Sequence, residues 1–177
     1  MKKLLPLVAL SFFFSSAKAH VVLDTPVATA GSYYRATLRV GHGCDASAIK
    51  QFVVKIPAGV QGAKPMPKAG WNIEIERTKL DKPYTSHGRT ISEDVSEIRW
   101  TARTPEDYLQ NAYYDEFVVF GKLPEAAGKL YWKASQICEQ GRIDWHEVAT
   151  AANTKPKSPA AVLEIKPKEG AHAHHTH

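Results

Sequence analysis

Tyr33-Tyr34-Arg35-Ala36-Thr37-Leu38-Arg39-Val40 alternates over its whole length. Tyr34, Ala36, Leu38 and Val40 fall on one side of an extended chain, and Tyr33, Arg35, Thr37 and Arg39 fall on the other. A period of two with one apolar face is the pattern of a strand that covers a core on one side only. The same rhythm returns in Trp71, Ile73 and Ile75, interleaved with Asn72, Glu74 and Glu76.

Shorter apolar or alternating runs occur at Phe52 to Ile56, Ile98 to Ala102, Phe117 to Phe120, Leu130 to Ala134, Arg142 to Val148 and Ala161 to Ile165. Each has strand length, and turn-prone Gly, Pro, Asp or Ser residues separate most of them. Thr104-Pro105-Glu106-Asp107 is the segment that speaks for helix, with a cap candidate, proline at the first helical position and acids in the first turn. Apolar periodicity stops soon after it, so one or two turns are expected there. Many short strands with polar turns between them predict an all-β chain, an antiparallel β-sandwich of two packed sheets.

The first 19 residues read differently. Lys2 and Lys3 precede an apolar run from Leu4 to Phe14, and small residues close on Ala17-Lys18-Ala19. That is the layout of a secretory signal peptide, too short to span a bilayer, with cleavage expected before His20. The formal net charge of +5 includes Lys2, Lys3 and Lys18, so the exported remainder is nearly balanced. Its lysines are scattered, and no basic stripe runs beside an aromatic one, which argues against nucleic-acid binding. No later apolar run reaches membrane-spanning length, so no membrane span is expected in the mature form. Cys44 and Cys138 are the chain's two cysteines. In an oxidising compartment a disulfide is their default state.

Cleavage before His20 would give that residue a free amine beside its imidazole. Amine nitrogen and Nδ1 can close a chelate ring on one ion, and two nitrogens in a plane suit Cu(II). An amine titrates near neutrality, with a reference value of roughly 8, so a metal displaces its proton easily. Any residue can follow a cleavage site, however, and the leader alone does not decide for a chelate. The other histidines of the folded region offer no clear second ligand. His42 lies in a glycine-flanked turn beside Cys44, His87 in the polar segment Tyr84 to Arg89, and His146 alternates away from Trp145. Each reads as a solvated or locally bonded histidine. Glu116 enters a strand among aromatic bulk, where a carboxylate is costly without a positive partner, although the local pattern has it pointing outward beside Asp115. Trp145 is by default a core residue and alternatively the wall of a metal site. His172, His174, His175 and His177 form a histidine-rich tail over residues 169–177, a candidate accessory metal collector that would pass copper to His20. No nucleophile elbow, phosphate loop or His-Glu-x-x-His run appears, so hydrolase chemistry gains no support.

Four ordered motifs then converge: His20-Val21-Val22-Leu23 with Pro26, Arg39-Val40-Gly41-His42-Gly43-Cys44, Tyr113-Tyr114-Asp115-Glu116-Phe117 with Leu123-Pro124, and Gln136-Ile137-Cys138-Glu139-Gln140-Gly141 leading to Trp145. Together they resemble the YcnI-like exported copper-binding proteins. The resemblance implies an immunoglobulin-like or fibronectin III-like sandwich over residues 20–168 that holds Cu(II) outside the cytoplasm, in the periplasm or an equivalent exported space. It implies a single-histidine brace in which His20 chelates, Glu116 supplies an anionic oxygen and Trp145 stands near the metal. It implies copper trafficking or homeostasis and not turnover, with a copper chaperone or a membrane copper transporter as exchange partner. The chain lacks the C-terminal anchor of some relatives and carries the histidine tail instead. The competing readings are a copper-dependent oxidative enzyme, which would need a second brace histidine, and a metal-free sandwich that presents loops to a protein partner.

Overall fold

The computed structural model describes residues 20–168. The expected leader and the four tail histidines lie outside the described residues. Eleven strands follow in order: β1 (Val22–Leu23), β2 (Val27–Thr29), β3 (Tyr33–Val40), β4 (Ile49–Lys55), β5 (Gln61–Pro65), β6 (Trp71–Ser86), β7 (Arg89–Ala102), β8 (Asp115–Lys122), β9 (Gly128–Cys138), β10 (Arg142–Trp145) and β11 (Ala161–Lys166). One sheet has the order β1-β3-β8-β5, and the other runs β2-β11-β9-β4-β7-β6 with β10 also paired to β9. Pro105–Asp107 forms a single 3-10 turn, the helical element expected there. Its Thr104 hydroxyl bonds the Asp107 side chain at 3.1 Å and caps no backbone N–H.

The alternating segment buries its apolar face as its pattern requires, while Thr37 of the opposite face is buried as well. Tyr34, Ala36, Leu38 and Val40 are all buried, and Arg35 and Arg39 are exposed. Phe117 of β8 meets three strands of the facing sheet at once. Its ring stacks on Phe52 at 4.2 Å and takes Trp71 and Trp100 edge-on at 5.3 and 5.5 Å. Aromatic pairs at these separations add about 0.5–1.5 kcal/mol each beyond the area they bury. Leu38, Ile49, Ile98, Trp132 and Leu163 complete the interior, none more than 1% exposed.

The sandwich departs from the expected pattern in three places. The strand at Ile98 to Ala102 is the end of a much longer one. β6 and β7 form a hairpin of 16 and 14 residues, closed at His87 and Gly88, whose φ angles of 48° and 74° lie in the left-handed region. His87 therefore occupies a tight turn and not a polar loop; both hairpin faces are polar near the tip, which hides the alternation. β10 stops at Trp145, short of Val148. Finally, β2 pairs parallel to β11, while the other named strands pair antiparallel. Pro26 has no N–H to continue the β1–β3 ladder, and its carbonyl accepts from Glu164 N at 2.8 Å instead. The chain thus changes sheets at that proline.

One end of the sandwich collects the start of β1, the end of β3, the start of β8, and the end of β9 with the short β10 beside it. β11 finishes at the other end, with Ile165 opposite Gly128, the first residue of β9. Cys44 and Cys138 are bonded across 94 positions, joining the loop after β3 to the end of β9. Loop-closure entropy gives such a bridge about 2–5 kcal/mol. Replacing both cysteines by serine is expected to lower unfolding free energy by that amount, read as an earlier urea midpoint.

Candidate metal centre

The segment that carries His20 is anchored along its length. Val21 and Leu23 are buried, and Val22 and Leu23 pair with Arg39 and Leu38 of β3. Asp24 N donates to the Thr37 carbonyl at 3.0 Å, and the Tyr34 hydroxyl donates to the Thr25 carbonyl at 2.6 Å. Burial, helped by the nearby Asp24 charge, pushes the Tyr34 pKa up to about 12. That hydroxyl therefore stays a donor across the physiological range. His20 is exposed, and its ring stands edge-on to Trp145 at 5.5 Å and 78°.

Trp145 is 2% exposed and is held through its one polar atom. Its indole N–H donates to Gln136 Oε1 at 2.5 Å. The amide nitrogen of Gln136 donates to the His42 carbonyl at 2.8 Å. An indole N–H can only donate and a carbonyl can only accept, so both ends of the Gln136 amide are assigned by their partners. Gln136 itself is 1% exposed, a buried amide with both ends satisfied.

The loop after β3 is equally constrained. Gly43 N donates to Asn111 Oδ1 at 3.0 Å, and a Cβ on Gly43 would fall 1.8 Å from the Ser47 carbonyl oxygen, so no larger residue fits. The His42 ring lies edge-on to Trp145 at 6.4 Å and 72°. His42 Nδ1 sits 2.6 Å from the Gly43 carbonyl, while its Nε2 is buried with no hydrogen-bond partner among the described residues.

Glu116 lies on β8 opposite Arg39 of β3, which in turn lies opposite Val22 of β1. The three form one row across the sheet, with Arg39 in the middle. The Glu116 carboxylate accepts from the Tyr114 hydroxyl, and the Arg39 guanidinium sits over the Tyr114 ring at 5.6 Å. Glu116 is partly buried and lines an open hollow of about 270 Å3 with Met66, Lys68 and Tyr114. Asp115 beside it is bound to Lys68 at 2.5 Å. The structure thus brings His20 to Trp145 and sets Glu116 two strands over from β1, beyond Arg39 of β3. Among the described residues no group of three or more His, Cys, Asp or Glu side chains is placed so that it could hold a metal ion.

Two histidines are elsewhere. His87 closes the β6–β7 hairpin. His146 packs on the far side of β10 from Trp145, with Nε2 3.2 Å from Ser135 Oγ. Ser135 Oγ also donates to Asp144 at 2.5 Å, and Arg142 reaches the same carboxylate at 2.8 Å. The contributors that sequence reasoning did not assign are Gln136 and Asn111. A glutamine among Ala134, Ile137 and Cys138 in a buried strand is the signal for the first; nothing local marks the second.

These features define an immunoglobulin-like sandwich with a histidine held at its open end against a buried tryptophan. Residues 20–165 match the family described as a domain of unknown function, DUF1775, and the chain belongs to that family, the YcnI-like group. The copper-binding protein CutI of Bacillus subtilis (strain 168) is 24% identical over 138 residues, which cover 77% of this chain. The match spans 60% of the length of that relative. A solved structure from Nocardia farcinica, described as an immunoglobulin-like fold, superposes with a TM-score of 0.65 at 24% identity, covering 82% of this chain and 97% of that one.

Removing the Gln136 amide should be costly. In Gln136→Leu the Trp145 N–H and the His42 carbonyl are both left buried without partners, at about 1–3 kcal/mol each. The expected result is a lower urea midpoint, by more than Gln140→Leu on the exposed turn produces. The far side of β10 should respond to acid. Burial lowers the His146 pKa from its ordinary 6.5, outweighing the opposing Asp144 charge. The unfolded chain then takes up a proton first, and stability falls as pH drops below that ordinary value. Asp144 is pushed up by burial, but hydrogen bonds from Ser135 and Arg142 outweigh this and leave it lowered. Its contribution is present above the ordinary carboxylate range and is lost only at lower pH. His146→Gln is therefore expected to flatten the decline between about pH 7 and pH 5, followed by urea midpoints, while the steeper loss below about pH 4 remains.

Proposed function

We propose that the protein is an exported Cu(II)-binding protein of copper trafficking or homeostasis, with the ion held by the amine and imidazole of His20 once the leader is removed. The observation that carries this reading is the His20 ring set edge-on to the buried Trp145. The family match that begins at residue 20 and the copper-binding relative support it. Two nitrogens of one residue close the chelate without help from the fold. What the fold supplies is a fixed position for that residue, through Val21, Leu23 and the β1–β3 ladder, and an apolar wall that keeps water from one side.

Glu116 is the proposed anionic ligand. Its carboxylate faces solvent-lined space and is held by the Tyr114 hydroxyl, the bond it gives up when the ion binds. Arg39, next to it in register, is engaged by Asp24 at 3.5 Å and by the Tyr114 ring. Loss of one negative charge at Glu116 removes attraction for a dication without altering the chelate. The ion is cargo, not a reactant, and exchange with a copper chaperone or a membrane transporter is the step the protein serves. Protons compete for both nitrogens, so binding weakens as pH falls.

The test compares the chain beginning at His20 with the same chain preceded by one methionine, titrated with Cu(II) against a competing chelator. The shorter form is expected to bind tightly and the extended form to lose at least tenfold, about 1.4 kcal/mol. Equal affinity of the two would reject the brace. Glu116→Gln in the shorter form is expected to bind about tenfold more weakly with an unchanged urea midpoint.

A further inference from the structure

We infer that His42 is a second imidazole donor at the same copper centre, binding the ion through Nε2. The inference rests on the His20 chelate just proposed and extends it. His42 was expected to be a locally bonded histidine, and by its Nδ1 it is one. The Gly43 carbonyl 2.6 Å from Nδ1 can only accept, so the proton of a neutral imidazole sits on Nδ1 and Nε2 carries a free lone pair. That is the arrangement ligating histidines show: the ring nitrogen away from the metal donates to a backbone carbonyl, which sets tautomer and ring orientation together.

The second observation is independent of the first. His42 Nε2 is buried and has no hydrogen-bond partner among the described residues. A buried acceptor without a donor is unfavourable, and an ion bound at Nε2 would relieve it. The third is position. His42 and His20 both present their rings edge-on to the same indole, and that indole is tied back to the His42 backbone through Gln136. The disulfide at Cys44 and the Asn111 bond to Gly43 hold the loop from its other side. A ligand held this way needs no loop closure before it binds. With His42 included, the centre offers three nitrogens, a set that suits tetragonal Cu(II).

The experiment uses the full chain beginning at His20, loaded with one equivalent of Cu(II), and counts coordinated imidazoles by electron spin-echo modulation from their remote nitrogens. Two imidazoles are expected in the unmodified protein and one in His42→Gln, with Cu(II) affinity reduced about tenfold or more and an unchanged circular dichroism spectrum. A single imidazole in the unmodified protein overturns the inference while leaving the His20 chelate standing, and it does so without reference to any variant. Two imidazoles that persist in His42→Gln also overturn it, since the second donor then lies elsewhere, as in the histidine tail. Failure of the unmodified protein to hold Cu(II) at all rejects the chelate and this inference together.

Discussion

The amide of Gln136 is the constraint on which the functional end of this sandwich depends. It sits in β9, two residues before the disulfide cysteine, and bonds outward in two directions: to the indole of β10 and to the backbone of the loop that ends β3. Neither partner belongs to the same element, so one buried side chain ties the paired strands of one sheet to the loop that leaves the other. A buried polar group with both ends satisfied is specific in a way that apolar packing is not. Were it replaced by leucine of similar size, the core would fill but the loop and the tryptophan would lose their common reference. The disulfide restrains the same loop covalently, yet a disulfide limits distance and leaves ring orientation free. Orientation comes from the hydrogen bonds.

The N-terminal segment solves a related problem by different means. Terminal residues are usually poorly ordered unless something ties them down. Here two buried side chains, Val21 and Leu23, bracket a two-residue strand, and Tyr34 reaches back to bind Thr25. Burying a Val or Leu side chain contributes about 1.5–3 kcal/mol, enough to hold a short arm that could not form a strand alone. The result is an exposed residue, His20, on a rigid base. Such a combination would suit the reversible metal exchange proposed above: access for the ion and for whatever delivers it, with no ordering cost on the protein side.

How much of this was legible beforehand varies with the range of the interaction. The alternation of Tyr34, Ala36, Leu38 and Val40 specified β3 because one face is buried throughout, and the all-β class followed from repeating the argument. The β6–β7 hairpin tip escaped because both its faces are polar, which leaves no periodicity to read. The parallel β2–β11 pair escaped because it depends on where the chain changes sheets, a long-range choice made at Pro26. Of the candidate site residues, His20 was singled out from the cleavage pattern and Trp145 from the family motif. Their contact was not, since it joins residues 125 positions apart. His42 shows the limit most clearly. Its glycine neighbours pointed correctly to a tight, locally bonded turn, but only the fold shows that the second ring nitrogen is buried without a hydrogen-bond partner among the described residues.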